Sequence, residues 1–114
     1  MEFVETKSVV AYKYDPGTAS FPDGTERDNI VTRIKVRYSI SQGAVSVSAD
    51  FVHSLTDAHL GAECDNFVEL ADVTLTVLES WLESCEEAVP FIEFKSKLTK
   101  CLRFDLDSEG LITL

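Results

Sequence analysis

The chain has 114 residues, 45% of them apolar and 10% aromatic, which is enough for one domain to build an ordinary core without disulfides or metal. Twenty acids against ten bases give a formal net charge of −10. That charge works against nucleic acid and anionic lipid and in favour of cationic partners. Met1 to Val10 carries two acids and no apolar run of leader length, and nowhere do about eighteen apolar residues follow one another; a cytoplasmic location without a membrane segment is therefore expected.

Phe3 to Tyr14 is rich in β-branched and aromatic residues and spaces Val10, Tyr12 and Tyr14 by two, as one face of a strand does. Asp15 to Asp28 then repeats turn chemistry, Asp-Pro-Gly and Phe-Pro-Asp-Gly, and reads as a long connecting loop. Between Asn29 and Gln42, Ile30, Thr32, Ile34, Val36, Tyr38 and Ile40 alternate with Val31, Arg33, Lys35, Arg37, Ser39 and Ser41, which predicts a strand with one core face and one wet face. Gly43 breaks the run, and Val45, Val47, Ala49 and Phe51 resume the alternation, so the two segments form an antiparallel hairpin.

An irregular piece follows from His53 to Cys64. Asp65 and Asn66 are good helix caps, with Glu69 three residues after Asn66 as in a capping box. Phe67, Leu70, Ala71, Thr74, Leu78, Trp81, Leu82 and Cys85 recur at helical spacing and predict one long amphipathic helix over residues 66–85. Pro90 excludes its continuation. Phe91, Ile92 and Phe94 are read as a short strand and Leu98, Leu102, Phe104 and Leu106 as a longer one; Asp107 to Gly110 is a turn before Leu111, Ile112 and Leu114. The expected fold is a single α+β domain over residues 1–114, two-layered, with a mainly antiparallel sheet of five to six strands and one long amphipathic helix on one face.

The charge is unevenly placed. Between Tyr38 and Phe94 stand eleven acids and neither Lys nor Arg. Within the expected helix, Glu69, Asp72, Glu79, Glu83 and Glu86 recur at three, four or seven, on a face opposite the apolar one, and form the candidate partner-binding surface. A charged face is what any solvated helix shows. Here, however, Glu79 with Glu83 and Glu83 with Glu87 are like-charged at i,i+4, and the acids crowd the negative end of the helix dipole with no cation to offset them.

Other chemistry finds weaker footing. His53, Asp57, His59 and Cys64 are metal-ligand types, but their spacing fits no zinc pattern and no second pair follows, so neither metal nor cofactor is expected. Cys64, Cys85 and Cys101 are odd in number and widely spaced, which suits three small buried thiols in a reducing compartment. Both histidines lie in one segment, away from any nucleophile elbow, and Gly17, Gly24, Gly43, Gly61 and Gly110 are isolated turn residues rather than a phosphate loop; no catalytic residues are assigned. Arg33, Lys35 and Arg37, with Arg103 beside them, make a basic stripe on a wet strand face. It lacks the aromatics on which bases stack and is expected to solubilise the sheet or to pair with an acid across it.

The element order, the Phe67-x-x-Leu-Ala start and Glu79-Ser-Trp-Leu end of the helix, and the Leu102-Arg-Phe-Asp-Leu-Asp-Ser-Glu-Gly-Leu-Ile segment together resemble the WapI-type immunity proteins of bacterial toxin systems. The resemblance covers residues 29–114 and is one of pattern; the long 15–28 connection departs from it. It implies a small acidic cytosolic protein, not an enzyme, that blocks one toxin, commonly a basic nuclease, by direct binding. The leading expectation is thus an immunity or inhibitor protein with a cationic protein partner. The rivals are a phage-type inhibitor whose acids imitate DNA phosphates and a small enzyme of unrecognised type, for which a pocket gathering His53, His59 or Cys64 would speak.

Overall fold

The computed structural model describes residues 3–20, 24, 26–55, 68–107, 109, 110, 112 and 114. Among these, three strands, β1 (Val4–Ser20), β2 (Glu26–Gln42) and β3 (Val45–Ser54), form one antiparallel sheet in the order β1-β2-β3. A 3-10 turn at Leu70–Asp72 leads to helix α1 (Leu75–Cys85), and helix α2 (Val89–Leu106) follows.

The expected hairpin is present, with Gln42 opposite Val45 and an unbroken register to Arg33 opposite Ser54. Gly43 turns it with φ 64°, a left-handed conformation open to glycine, while Ala44 needs no such angle. The 15–28 segment is not the expected loop. Most of it continues β1 and β2 as a two-stranded ribbon, with Asp15 opposite Ile30 and Thr18 opposite Asp28. Pro16 and Gly17 there face Asn29 alone, a bulge made possible by positive φ at Gly17 and Asn29. Strands of 17 residues run to about 55 Å at the usual rise. Accordingly the radius of gyration is 17.9 Å, against about 13 Å for a compact chain of this length.

The sheet is smaller than the five to six strands expected, because residues 89–106 form a helix of 18 residues rather than two strands. The preceding helix ends at Cys85, five residues before Pro90, and Pro90 stands in the first turn of α2, where its missing N–H costs nothing and its fixed φ suits the helix. Phe91, Leu98 and Leu102 then bury one helical face, whereas Phe104, which shares a strand face with Leu102 in the expected reading, is 66% exposed. The expected long helix over 66–85 is also corrected. Asp65, Asn66 and Phe67 lie outside the described residues. Glu69 (φ −59°, ψ 144°) and Val73 (φ −71°, ψ 122°) are extended and isolate the 3-10 turn. The cap of α1 is Thr74, whose Oγ1 accepts from the Val77 N–H at 3.4 Å.

Both helices pack on one face of the sheet. β2 supplies Ile34, Val36, Tyr38 and Ile40, α1 supplies Leu78, Trp81, Leu82 and Cys85, and α2 supplies Phe91, Leu98 and Leu102. Full burial of side chains such as Ile34, Leu82 and Leu102 stabilises the fold by about 1.5–3 kcal/mol each. The rings of Tyr38, Phe51, His53, Phe91 and Phe94 meet at centroid distances of 4.8–5.9 Å, in tilted and edge-on contacts favoured by the ring quadrupoles.

Two substitutions separate the helix at 89–106 from a strand. Leu102→Ala should cost about 2–5 kcal/mol because a buried side chain leaves a cavity, whereas Phe104→Ala should change stability by about 0.5 kcal/mol or less; urea melts of both variants check this. By the same measurement Trp81→Ala, whose ring is buried in the core, should cost about 3–5 kcal/mol.

Candidate functional site

The five acids expected on one helix face fall into three settings. Glu69 precedes the 3-10 turn, Asp72 belongs to it, and only Glu79 and Glu83 lie on α1. Glu86 stands just past α1, its N–H still bonded to the Leu82 carbonyl, and its carboxylate, half-buried, accepts a hydrogen bond from Lys7 of β1. Glu69, Asp72, Glu79 and Glu83 are exposed and none meets a cation among the described residues. They form an acidic border along the segment 69–83 rather than one stripe.

That border edges an apolar groove which sequence reasoning did not identify. The helix backbones lie closest to β2 and β3. Apart from half-buried Val9, the described side chains of β1 are exposed along the whole strand. Val9, Val10, Ala11 and Tyr12 of β1 face Val73, Thr74, Leu75 and Leu78 across about 870 Å³ of open space. Val10, Tyr12 and Leu75 are 43%, 41% and 57% exposed. Helical spacing sets Glu79, four residues after Leu75, on the flank of α1 that also carries Glu86 to Lys7. The signal available in the sequence was Val10, Tyr12 and Tyr14, three large apolar side chains spaced by two with no second layer predicted for them.

A second cavity, of about 600 Å³, opens between β1 and α2. Its floor is Tyr38, Ile40, Phe91 and Leu98, and its rim carries the ion pairs Lys7–Glu86 and Lys95–Glu5, the latter at 3.2 Å. Beneath it the Tyr38 hydroxyl and His53 Nε2 are 2.6 Å apart. His53, expected in an irregular segment, is instead in β3 and buried in the aromatic cluster, so it does not line this cavity. Burial pushes the Tyr38 hydroxyl well above its ordinary value of 10, with the Glu86 charge adding to the effect.

The opposite face of the sheet is open and basic. Lys13 stands directly opposite Arg33, and Arg33, Lys35 and Arg37 follow one another along β2. Asp50 of β3 accepts two hydrogen bonds from Arg37, at 2.9 and 3.3 Å, and lies 3.8 Å from Lys35. The Arg37 hydrogen bond holds the Asp50 carboxyl below its ordinary value. This is the cross-strand pairing expected of the stripe; Arg103, placed beside it by the sequence reading, is on α2 instead.

Asp57, His59 and Cys64 lie outside the described residues, and among those described no three His, Cys, Asp or Glu side chains converge as metal ligands do. Of the cysteines described, Cys85 is buried as expected, but Cys101 is exposed. No described helix is long and apolar enough to cross a membrane. Comparison with protein-family models, with curated proteins and with solved structures finds no match.

The raised Tyr38 hydroxyl gives a pH dependence with a definite sign. Below about pH 10 the phenol is neutral in folded and unfolded chains alike; above it the unfolded chain ionises first, so stability is lost as pH rises. Urea denaturation of wild type at pH 7, 10 and 11 should show that loss, and Tyr38→Phe should lose less across the same interval. At pH 7 the variant should be destabilised by about 1–2 kcal/mol, because the buried hydrogen bond between Tyr38 and His53 is lost.

Proposed function

We propose that the chain is a small acidic binding protein of the immunity or inhibitor kind, which neutralises a cationic protein by covering part of its surface with carboxylates. The observation that carries this reading is the exposure of Glu69, Asp72, Glu79 and Glu83 with no ion pair to a cation among the described residues. Elsewhere in the fold carboxylates are used internally, as Glu5 with Lys95, Glu86 with Lys7 and Asp50 with Arg37. Unpaired like charges side by side on α1 cost a few tenths of a kcal/mol and offer an electrostatic target to a basic surface. The pattern resemblance of residues 29–114 to WapI-type immunity proteins supports the same reading. Opposed charge speeds encounter, and apolar anchors hold the complex once formed.

Affinity capture from the native host with mass spectrometry identifies the partner, and stopped-flow association at low and high salt tests the charge mechanism. Reversing Glu79 and Glu83 to Lys should slow association at low salt, with the difference shrinking as salt rises. Stability should stay level or rise slightly, since the like-charge pair and its clash with the α1 C-terminus are relieved. An unchanged on-rate at low salt excludes these acids as the steering surface.

A further inference from the structure

Among the described residues the helix layer leaves β1 uncovered. Two helices cover the β2 and β3 side of the sheet, and the same face of β1 carries Val9, Val10 and Tyr12 beside exposed Leu75, with no element laid over them among the described residues. Apolar side chains that stand together over such a groove mark an interaction surface more often than scattered ones do.

Three features of the groove define what fits it. It is lined by Val9, Val10, Ala11 and Tyr12 on one side and by Val73, Thr74, Leu75 and Leu78 on the other, side chains that are apolar apart from the Tyr12 and Thr74 hydroxyls. Acids stand beside it in the chain, Asp72 before Val73 and Glu79 one helical turn after Leu75 on α1, both exposed and with no ion pair among the described residues. Finally, the outer edge of β1, which pairs with no described strand, is a poor template for an added strand. Its register shifts between Val9 and Ala11, between Lys13 and Tyr14, and between Asp15 and Thr18, and Pro16 interrupts it; bulges, lysines and proline are the features by which edge strands avoid pairing. An incoming segment therefore finds side chains to pack on but no continuous ladder to join, which favours a helix over a strand.

From these features we infer that the groove between β1 and α1 receives a basic amphipathic helix of the partner, its apolar stripe on Val10, Tyr12 and Leu75 and its Lys or Arg side chains toward Asp72 and Glu79. The inference rests on the reading of a cationic protein partner given above and names the element of that partner which docks.

A synthetic Lys/Leu peptide of about 14 residues with leucines at i, i+3, i+4 and i+7 serves as the probe. Its control is the same composition scrambled so that no apolar stripe forms. Measured by fluorescence anisotropy at about 0.15 M salt, the amphipathic peptide should bind the full chain at least about tenfold more tightly than the scrambled one. Leu75→Asp decides between groove and charge. It adds a negative charge on an exposed side chain, so attraction by charge alone predicts equal or tighter binding, whereas packing in the groove predicts about a tenfold loss. Amide shift mapping of wild type provides a readout that needs no variant, with changes expected over residues 9–12 and 73–78. Equal binding of the two peptides, no binding of either, an undiminished affinity of Leu75→Asp, or shifts confined to the open sheet face or to the cavity beside α2 would each overturn the groove. None of these touches the on-rate experiment with the captured partner, by which the cationic-partner reading stands or falls separately.

Discussion

The row Ile34, Val36, Tyr38 and Ile40 on β2 is the surface on which the rest of the molecule is assembled. All four are buried, and β2 is the strand that pairs on both sides. Because side chains in a strand alternate strictly, a slip of one residue would exchange this row for Arg33, Lys35, Arg37 and Ser39 and place cations under both helices. The hairpin turn at Gly43 fixes the register of β3, so Val47, Ala49, Phe51 and His53 extend the same apolar surface. Tyr38 ties the layers together. Its ring contacts Phe91 and Phe94 of α2, and its hydroxyl hydrogen-bonds the buried His53 of β3.

What the sequence made legible follows from period. The alternation along β2 has only one reading, because no helix places six successive even positions on one face, and the hairpin and the buried row Ile34 to Ile40 are as expected, whereas Val31, expected on the wet face, is buried. The stripe Leu78, Trp81, Leu82 and Cys85 is likewise unambiguous, and all four are buried. Residues 89–106 were not legible in the same way. Leu98, Leu102, Phe104 and Leu106 share even positions, which suggests a strand, but Phe91, Phe94, Leu98 and Leu102 also recur at three and four; taking Pro90 as a stop rather than a start tipped the reading the wrong way. Upstream, the apolar residues before Leu75 fit the phase of the helix. Extended backbone at Glu69 and Val73 breaks the hydrogen-bond ladder there, and periodicity carries no information about that. The candidate acids were therefore named correctly as exposed residues in Glu69, Asp72, Glu79 and Glu83 but wrongly grouped on one helix, and the pairing of Glu86 with Lys7, 79 residues away in the chain, had no local signal.

The charge of −10 is distributed by the fold rather than spread over it. Lys13, Arg33, Lys35 and Arg37 gather on the open sheet face, with Asp50 drawn into their midst. The acids of residues 69–83, which make no ion pair among the described residues, stand on the helix side. Such a distribution repels a basic surface from one face of the sheet and attracts it to the other, and a field of this kind orients an approaching cation before contact. The ion pairs at Lys7–Glu86 and Lys95–Glu5 are partly exposed and contribute little to stability; their consequence is geometric, since they bring the β1 edge toward both helices across an otherwise open cavity.

A strand that no described element covers and that bears the exposed side chains Val10, Tyr12 and Tyr14 is an association hazard. Two properties of this chain contain it. Bulges and Pro16 break the ladder that a second strand would need, and a net charge far from zero opposes contact between copies. Both properties are selective. They act against strands and against acidic surfaces, and leave open the approach of an element that satisfies its own backbone hydrogen bonds and carries positive charge. The irregularity of β1 and the acidity of the segment 69–83, which look unrelated in the sequence, thus restrict the same surface in complementary ways, one by backbone geometry and the other by charge.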